Sequence, residues 1–184
     1  EISEDVGAAD VTRDGRALAV SRWIGGGFRV EYPIGKGLYQ TGGYVSALRI
    51  SPNAERVAFF DHPALGDDRG SLAVLDRAGK KTTLTGPWAS TGGIAWTPSG
   101  SEIRFTASER GANLLVYAAT LDGNVRRVLS APGRLILHDI AADGRLLLEQ
   151  VSSRMALMFR PPQAAAERDF AWLDFSYASV IARD

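Results

Sequence analysis

Cysteine is absent from the 184 residues, which rules out disulfide frameworks, thiolate zinc sites and cysteine nucleophiles. There is no excess of either charge, since 21 Lys and Arg face 21 Asp and Glu, so no global field draws the chain to nucleic acid or to an anionic membrane. No apolar run approaches the roughly 18 residues of a membrane helix. The opening Glu1-Ile2-Ser3-Glu4-Asp5 has neither the basic nor the apolar region of a signal peptide, nor an initiator Met. That beginning is expected of a piece of a longer parent. No stretch carries the 3.6-residue periodicity of a long amphipathic helix. What is present is 45% hydrophobic residues with 20 glycines, the composition of a globular chain rich in turns.

Those turns recur. Four segments share one pattern, an apolar stretch, a short polar turn and a second apolar stretch, centred on Thr12-Arg13-Asp14-Gly15, Ser51-Pro52-Asn53-Ala54, Thr97-Pro98-Ser99-Gly100 and Ala141-Ala142-Asp143-Gly144. Their last residues lie 39, 46 and 44 positions apart, close to the roughly 40 to 45 of a four-stranded propeller blade. Asp-Gly and Ser-Gly suit tight hairpins because they tolerate positive φ, and Ala54 fits that requirement least. Between these hairpins lie second strand pairs, around Phe28 to Tyr32, Leu72 to Leu75, Leu114 to Ala118 and Ala156 to Phe159. Residues 161–168 read as a loose hairpin loop. The fold expected is an all-β propeller of four-stranded antiparallel blades over 8–41, 45–86, 92–130 and 135–171, with a truncated fifth begun at 176–184. Leu146-Leu147-Leu148 suits a strand covered on both faces. Open sheet edges are expected to pair with another copy of the chain.

The strings Ile50-Ser51-Pro52-Asn53, Trp96-Thr97-Pro98-Ser99-Gly100 and Ile140-Ala141-Ala142-Asp143-Gly144 resemble the WSPDG repeat of TolB-like propellers over almost the whole chain. Three more segments are similar to the C-terminal propeller of bacterial serine/threonine protein kinases: Glu31-Tyr32-Pro33-Ile34-Gly35-Lys36, Phe60-Asp61-His62-Pro63 with the following 66–71, and Asp169-Phe170-Ala171-Trp172-Leu173-Asp174-Phe175. The resemblance implies repeats that sense or bind a ligand beside a kinase domain, on the extracytoplasmic or periplasmic side. None of the kinase loops occurs in this sequence, so kinase activity is not implied for these residues.

Candidate chemistry is sparse. Gly35-Lys36-Gly37 lacks the first Gly and the Ser or Thr of a phosphate loop. His62 and His138 each adjoin an aspartate, Asp61 and Asp139, but no ligand spacing unites them, and both read as hydrogen-bonded structural histidines at loop starts. Asp67-Asp68-Arg69 reads as a solvated turn, with calcium or a basic partner as the alternative. Trp96 and Phe105 are expected between blades. Trp23, Tyr39, Tyr44, Trp88 and Trp172 fall near the connections that follow second and fourth strands, which share one face of a propeller. The expected binding face combines residues 22–27, 39–44, 62–70, 87–91 and 172–175, with Trp23, Tyr39, Tyr44, His62, Asp67, Asp68, Arg69, Trp88, Trp172 and Asp174 as its candidate residues. It is expected to take a protein or small-molecule ligand, with no cofactor, metal, nucleic acid or membrane contact. The rival expectation is the substrate-gating propeller of a prolyl-oligopeptidase-like peptidase, which supplies no catalytic residues itself.

Overall fold

Turn chemistry repeats in the structure as it does in the sequence. A computed structural model describes residues 4–171. Trp172 and Asp174, with the rest of 172–175 and the expected fifth blade at 176–184, lie outside the described residues. In the first three hairpins the leading hydroxyl meets the side chain two residues on: Thr12 donates to Asp14 (2.6 Å), Ser51 to Asn53 (2.8 Å), and Thr97 pairs with Ser99 (3.2 Å). The same oxygens accept the backbone N–H of Ala17, Arg56 and Glu102, closing each turn from within. The fourth turn has Ala141 in place of the hydroxyl and is closed by the backbone bonds Gly144 N–H to Ala141 and Ala141 N–H to Arg145, with the Asp143 side chain accepting from the Arg145 N–H.

Gly15, Gly100 and Gly144 take positive φ at the last turn position, and so does Ala54, at 60°. A side chain in that region costs roughly 1–2 kcal/mol, of which about 0.5–1 kcal/mol is regained because alanine restricts the unfolded chain more than glycine. Ala54→Gly is therefore expected to stabilise the protein by about 0.5 kcal/mol, read as a higher urea midpoint at unchanged m-value.

The hairpins build three complete antiparallel sheets. The first is β1 (Val6–Val11), β2 (Leu18–Ile24), β3 (Gly27–Glu31) and β4 (Gly37–Thr41). The second is β5 (Tyr44–Ile50), β6 (Arg56–His62), β7 (Gly70–Asp76) and β8 (Lys81–Trp88). The third is β9 (Ser90–Trp96), β10 (Glu102–Ser108), β11 (Leu115–Thr120) and β12 (Val125–Leu129). A two-stranded sheet follows, β13 (Arg134–Ile140) with β14 (Leu146–Val151). No α-helix occurs among the described residues, and none is long and apolar enough to cross a membrane. Residues 1–150 form one compact unit. The unit from residue 151 onward holds the hairpin β15 (Met158–Phe159) and β16 (Arg168–Asp169), with Phe159 against Phe170 and Arg154 bonded to Asp169 at 2.7 Å. The segment read as a fourth blade is thus two separate strand pairs. Leu147 is 61% exposed, against the expectation of a strand covered on both faces: Leu146 and Leu148 are half-buried on one face of β14, and Leu147 points to the other, which is open.

In the first unit the sheets pack face to face, and their first strands lie in sequence: β1 beside β5, β5 beside β9, β9 beside β13. Adjacent residues of β6 serve different cores. Phe59 packs with Val30, Tyr32, Leu48 and Leu75 between the first two sheets, whereas Phe60 joins Trp88, Trp96, Phe105 and Tyr117 between the second and third. Such a strand must be apolar at every position, as Val57-Ala58-Phe59-Phe60 is. Trp96 and Phe105 lie between blades, where the repeat pattern puts them. Each of β1, β5 and β9 carries a register irregularity, with Ala47 at φ 53° in β5 and Gly92-Gly93 in β9. The extra residue bends these first strands without interrupting the ladder on either side.

Candidate functional site

Two ends of the first unit are available, because antiparallel strands put the hairpins at 12–17, 51–56, 97–102 and 141–145 at one end and the connections around 25–26, 42–43 and 63–69 at the other. The second end is the one expected to bind. Its longest connection, 63–69, is organised from below. The His62 ring is 2% exposed and stacks on Tyr44 at 3.8 Å with 8° between planes. Its Nδ1 faces the carbonyl oxygens of Asp67 (3.1 Å) and Arg69 (2.9 Å), and its Nε2 meets the Ser46 hydroxyl at 2.7 Å. Two carbonyls can only accept, so Nδ1 carries the proton and Ser46 donates to Nε2. The Tyr44 hydroxyl donates to the Asp67 carbonyl at 2.9 Å, and the Asp67 N–H donates to Ala64. Above this, the Asp67 carboxylate forks onto Arg69, with Arg69 Nη2 to Asp67 Oδ2 at 2.5 Å. The Arg69 contacts hold the Asp67 carboxyl at about 2, below the usual carboxylate range. His62 is thus a loop clamp in a neutral tautomer.

Burial pushes the His62 pKa below its ordinary 6.5 against the pull of the Arg69 and Asp67 carbonyls and of the Asp61 and Asp67 charges. The unfolded chain then takes up a proton at a higher pH than the folded one, so the contribution of His62 is whole above pH 6.5 and declines as pH falls toward the folded value. The protection of the 63–69 amides, with exchange corrected for its own pH dependence, is expected to fall as the pH is lowered from about 6.5 toward 5. His62→Gln removes the titrating group and is expected to flatten that dependence.

The other candidate residues divide. Trp23 is 39% exposed at the end of β2, edge-on to Phe28 at 5.3 Å, and Phe28 in turn contacts Tyr44 at 6.4 Å. Asp68 and Arg69 are exposed. Trp88 is not a surface aromatic. It is 8% exposed and packs on Phe105 (5.5 Å) and Tyr117 (4.6 Å), because the end of β8 turns its side chain into the gap between the second and third sheets. Tyr39 sits in the middle of β4, where its hydroxyl donates to Asp61 (2.8 Å) and Lys81 lies over its ring at 4.5 Å, so it pins the first sheet to the second. Of the candidate residues described, those left accessible at this end are Trp23, Asp68, Arg69 and an edge of Tyr44, and Leu65, which the sequence analysis passed over, stands 65% exposed on the clamped loop. His138 lies within β13 and its Nε2 meets Glu149 at 2.9 Å, away from any loop start. No group of three or more His, Asp or Glu among the described residues is placed to hold a metal ion.

At the hairpin end, the first strands of four successive repeats enclose a cleft of about 390 Å³. Its lining includes Asp10, Arg49, Ala95 and Asp139, each two residues before the start of its turn, and Ile50, Trp96 and Ile140 one residue nearer. Bonds cross between repeats: Asp10 accepts the Ile50 N–H at 2.7 Å, the Trp96 indole donates to the Arg49 carbonyl at 3.1 Å, and Arg49 Nη2 donates to the His138 carbonyl at 3.1 Å. Three of the four positions two residues before a turn are charged, where a strand position would ordinarily be apolar, a pattern the sequence analysis did not single out.

No family model and no curated protein matches this sequence. Solved structures do share the fold. TolB from Acinetobacter baumannii superposes with a TM-score of 0.61 at 18% identity, over 89% of this chain and 40% of its own. A putative TolB from Agrobacterium tumefaciens gives 0.61 at 16% identity, over 82% and 56%. A structure from a study of two prolyl endopeptidases gives 0.61 at 15% identity, over 92% and 30%. The chain therefore has the fold of TolB-like β-propellers and spans between about a third and just over half of the length of these proteins.

Proposed function

We propose that the chain is a non-catalytic binding module that presents the clamped loop 63–69 and Trp23 to a protein partner, and that its parent is a bacterial serine/threonine kinase carrying this propeller in its C-terminal repeats. One observation carries the binding role: the loop is fixed by a buried histidine, a tyrosine hydroxyl and an Asp67–Arg69 fork, yet Leu65 at its tip stays in solvent. A loop ordered before binding loses little entropy on contact, and an exposed leucine on a rigid support is an economical anchor. The kinase assignment rests on the resemblance around Glu31 to Lys36 and Phe60 to Ser71.

The test is partner capture from the parent organism's extract. Leu65→Ala combined with Asp68→Lys is expected to weaken capture about tenfold, a change of roughly 1.4 kcal/mol, while Asn53→Lys at the opposite end leaves it unchanged. Equal capture by both variants would overturn the reading. The second reading, a gating propeller of a prolyl-oligopeptidase-like peptidase, draws on the fold likeness to prolyl endopeptidases. The parent gene separates the two: a kinase domain supports the first, and a hydrolase domain with a Gly-x-Ser-x-Gly elbow supports the second.

A further inference from the structure

Repeat symmetry brings four equivalent positions to one level of the hairpin-end cleft, and they differ in chemistry: Asp10, Arg49, Ala95 and Asp139. In an ordinary repeat these positions need only pack. Here three of them are charged, and their neighbours hold them in place. The Asp10 carboxylate spends one oxygen on the Ile50 N–H, which leaves the other for a ligand. Arg49 bonds two backbone carbonyls, Leu48 at 3.0 Å and His138 at 3.1 Å, and has no carboxylate within ion-pair distance among the described residues. A guanidinium has five N–H donors, so donors remain. Ala95 has only a methyl group at the same level in the repeat between Arg49 and His138. Asp139 uses one oxygen on the N–H of Ile140 and keeps the second.

Charge decides the ligand class. A simple anion attracted to Arg49, or to Arg13, which also lines the cleft, meets Asp10 and Asp139 around it, and a simple cation attracted to the aspartates meets the two arginines, so either suffers like-charge repulsion. A molecule bearing both a carboxylate and an ammonium satisfies both sets. We infer that this cleft binds a small zwitterion of the amino acid or short-peptide class, its carboxylate on Arg49 and its ammonium on Asp10 and Asp139. Both sets of groups are fixed before the ligand arrives, which lowers the ordering cost of binding. The site lies at the other end of the strands from loop 63–69 and stands independently of the function proposed for that loop.

The experiment is isothermal titration of the intact chain with three probes: glycylglycine, its N-acetylated form, which keeps only the carboxylate, and glycylglycinamide, which keeps only the ammonium. Glycylglycine is expected to bind at least about tenfold more tightly than either capped form, as expected when a charge-assisted hydrogen bond is lost. This comparison uses the unmodified protein and does not depend on any variant folding. Arg49→Gln is expected to cost glycylglycine about tenfold while leaving glycylglycinamide unchanged, and Asp139→Asn to cost glycylglycine about tenfold while leaving the N-acetylated form unchanged. Leu65→Ala is expected to leave all three affinities as they are. Equal affinity for the three probes, or no heat with any of them, overturns the inference.

Discussion

Phe105→Ala is expected to lower the stability of the chain by about 3–5 kcal/mol, the range for emptying a buried aromatic site. Phe105 is fully buried, and its ring contacts those of Phe60 (6.1 Å), Trp88 (5.5 Å) and Tyr117 (5.7 Å), which come from the second sheet, its end, and the third. The rings around it are large and rigid, and each is held by further contacts, so the space left by the phenyl group cannot be refilled by small shifts. Since a domain commands only about 5–15 kcal/mol in total, a substantial fraction of the fold's margin is at stake. Urea unfolding followed by tryptophan emission reads it, with Trp88 and Trp96 both in this core. A loss under about 1 kcal/mol would mean that the two sheets do not share this core.

Gly93→Val is expected to cost about 1–3 kcal/mol or more by overpacking, and by a different route. A Cβ at Gly93 would stand 1.6 Å from the Leu137 carbonyl oxygen and 2.7 Å from its carbon, and backbone cannot swing aside as a side chain can. The strands β9 and β13 are drawn together there by Thr106, fully buried, whose hydroxyl accepts the N–H of Gly93 (2.8 Å) and of Leu137 (3.4 Å). Separating the strands breaks that bridge as well. Loss of amide protection is therefore expected to concentrate in β13 and β14, with β1 to β8 spared. Gly15→Ala is the contrast: nothing lies within 4 Å of the added methyl, so only its backbone conformation is penalised, at a net cost of about 0.5 kcal/mol by the balance that applies at Ala54. If the two substitutions gave the same protection pattern, the close approach at Gly93 would not be what couples the third sheet to β13.

The repeat was legible because its turns are chemical. A hydroxyl, a short acceptor two residues on and a residue at positive φ form a closed local circuit, and this needs no distant partner to be recognised in sequence. Strands between such turns follow from apolar runs, and so the first three sheets were readable to within a few residues. The region after Arg145 was less so. A leucine triplet looks the same whether one face of its strand or both are packed under another layer, and that layer comes from residues the triplet does not encode. The candidate face failed in the same manner. Trp23 and Trp88 both end a strand beside a connection, and only the stacking of sheets determines that one indole faces solvent and the other faces Phe105 and Tyr117. Leu65 was passed over because an apolar residue in a polar loop carries no pattern. The cleft was hidden for the opposite reason: its positions are aligned by the repeat, but Asp10, Arg49, Ala95 and Asp139 do not keep one residue type or one charge, so a search for similarity discards what makes them interesting.

The self-contained hairpin turns also bear on how the molecule comes into being. A turn that closes with residues no more than five positions apart can form as soon as that stretch leaves the ribosome, and each finished sheet then offers the next a ready surface to settle on. Assembly can follow the direction of synthesis, with Ala141, the one leading position without a hydroxyl, emerging last of the four and leaning most on what was laid down before it.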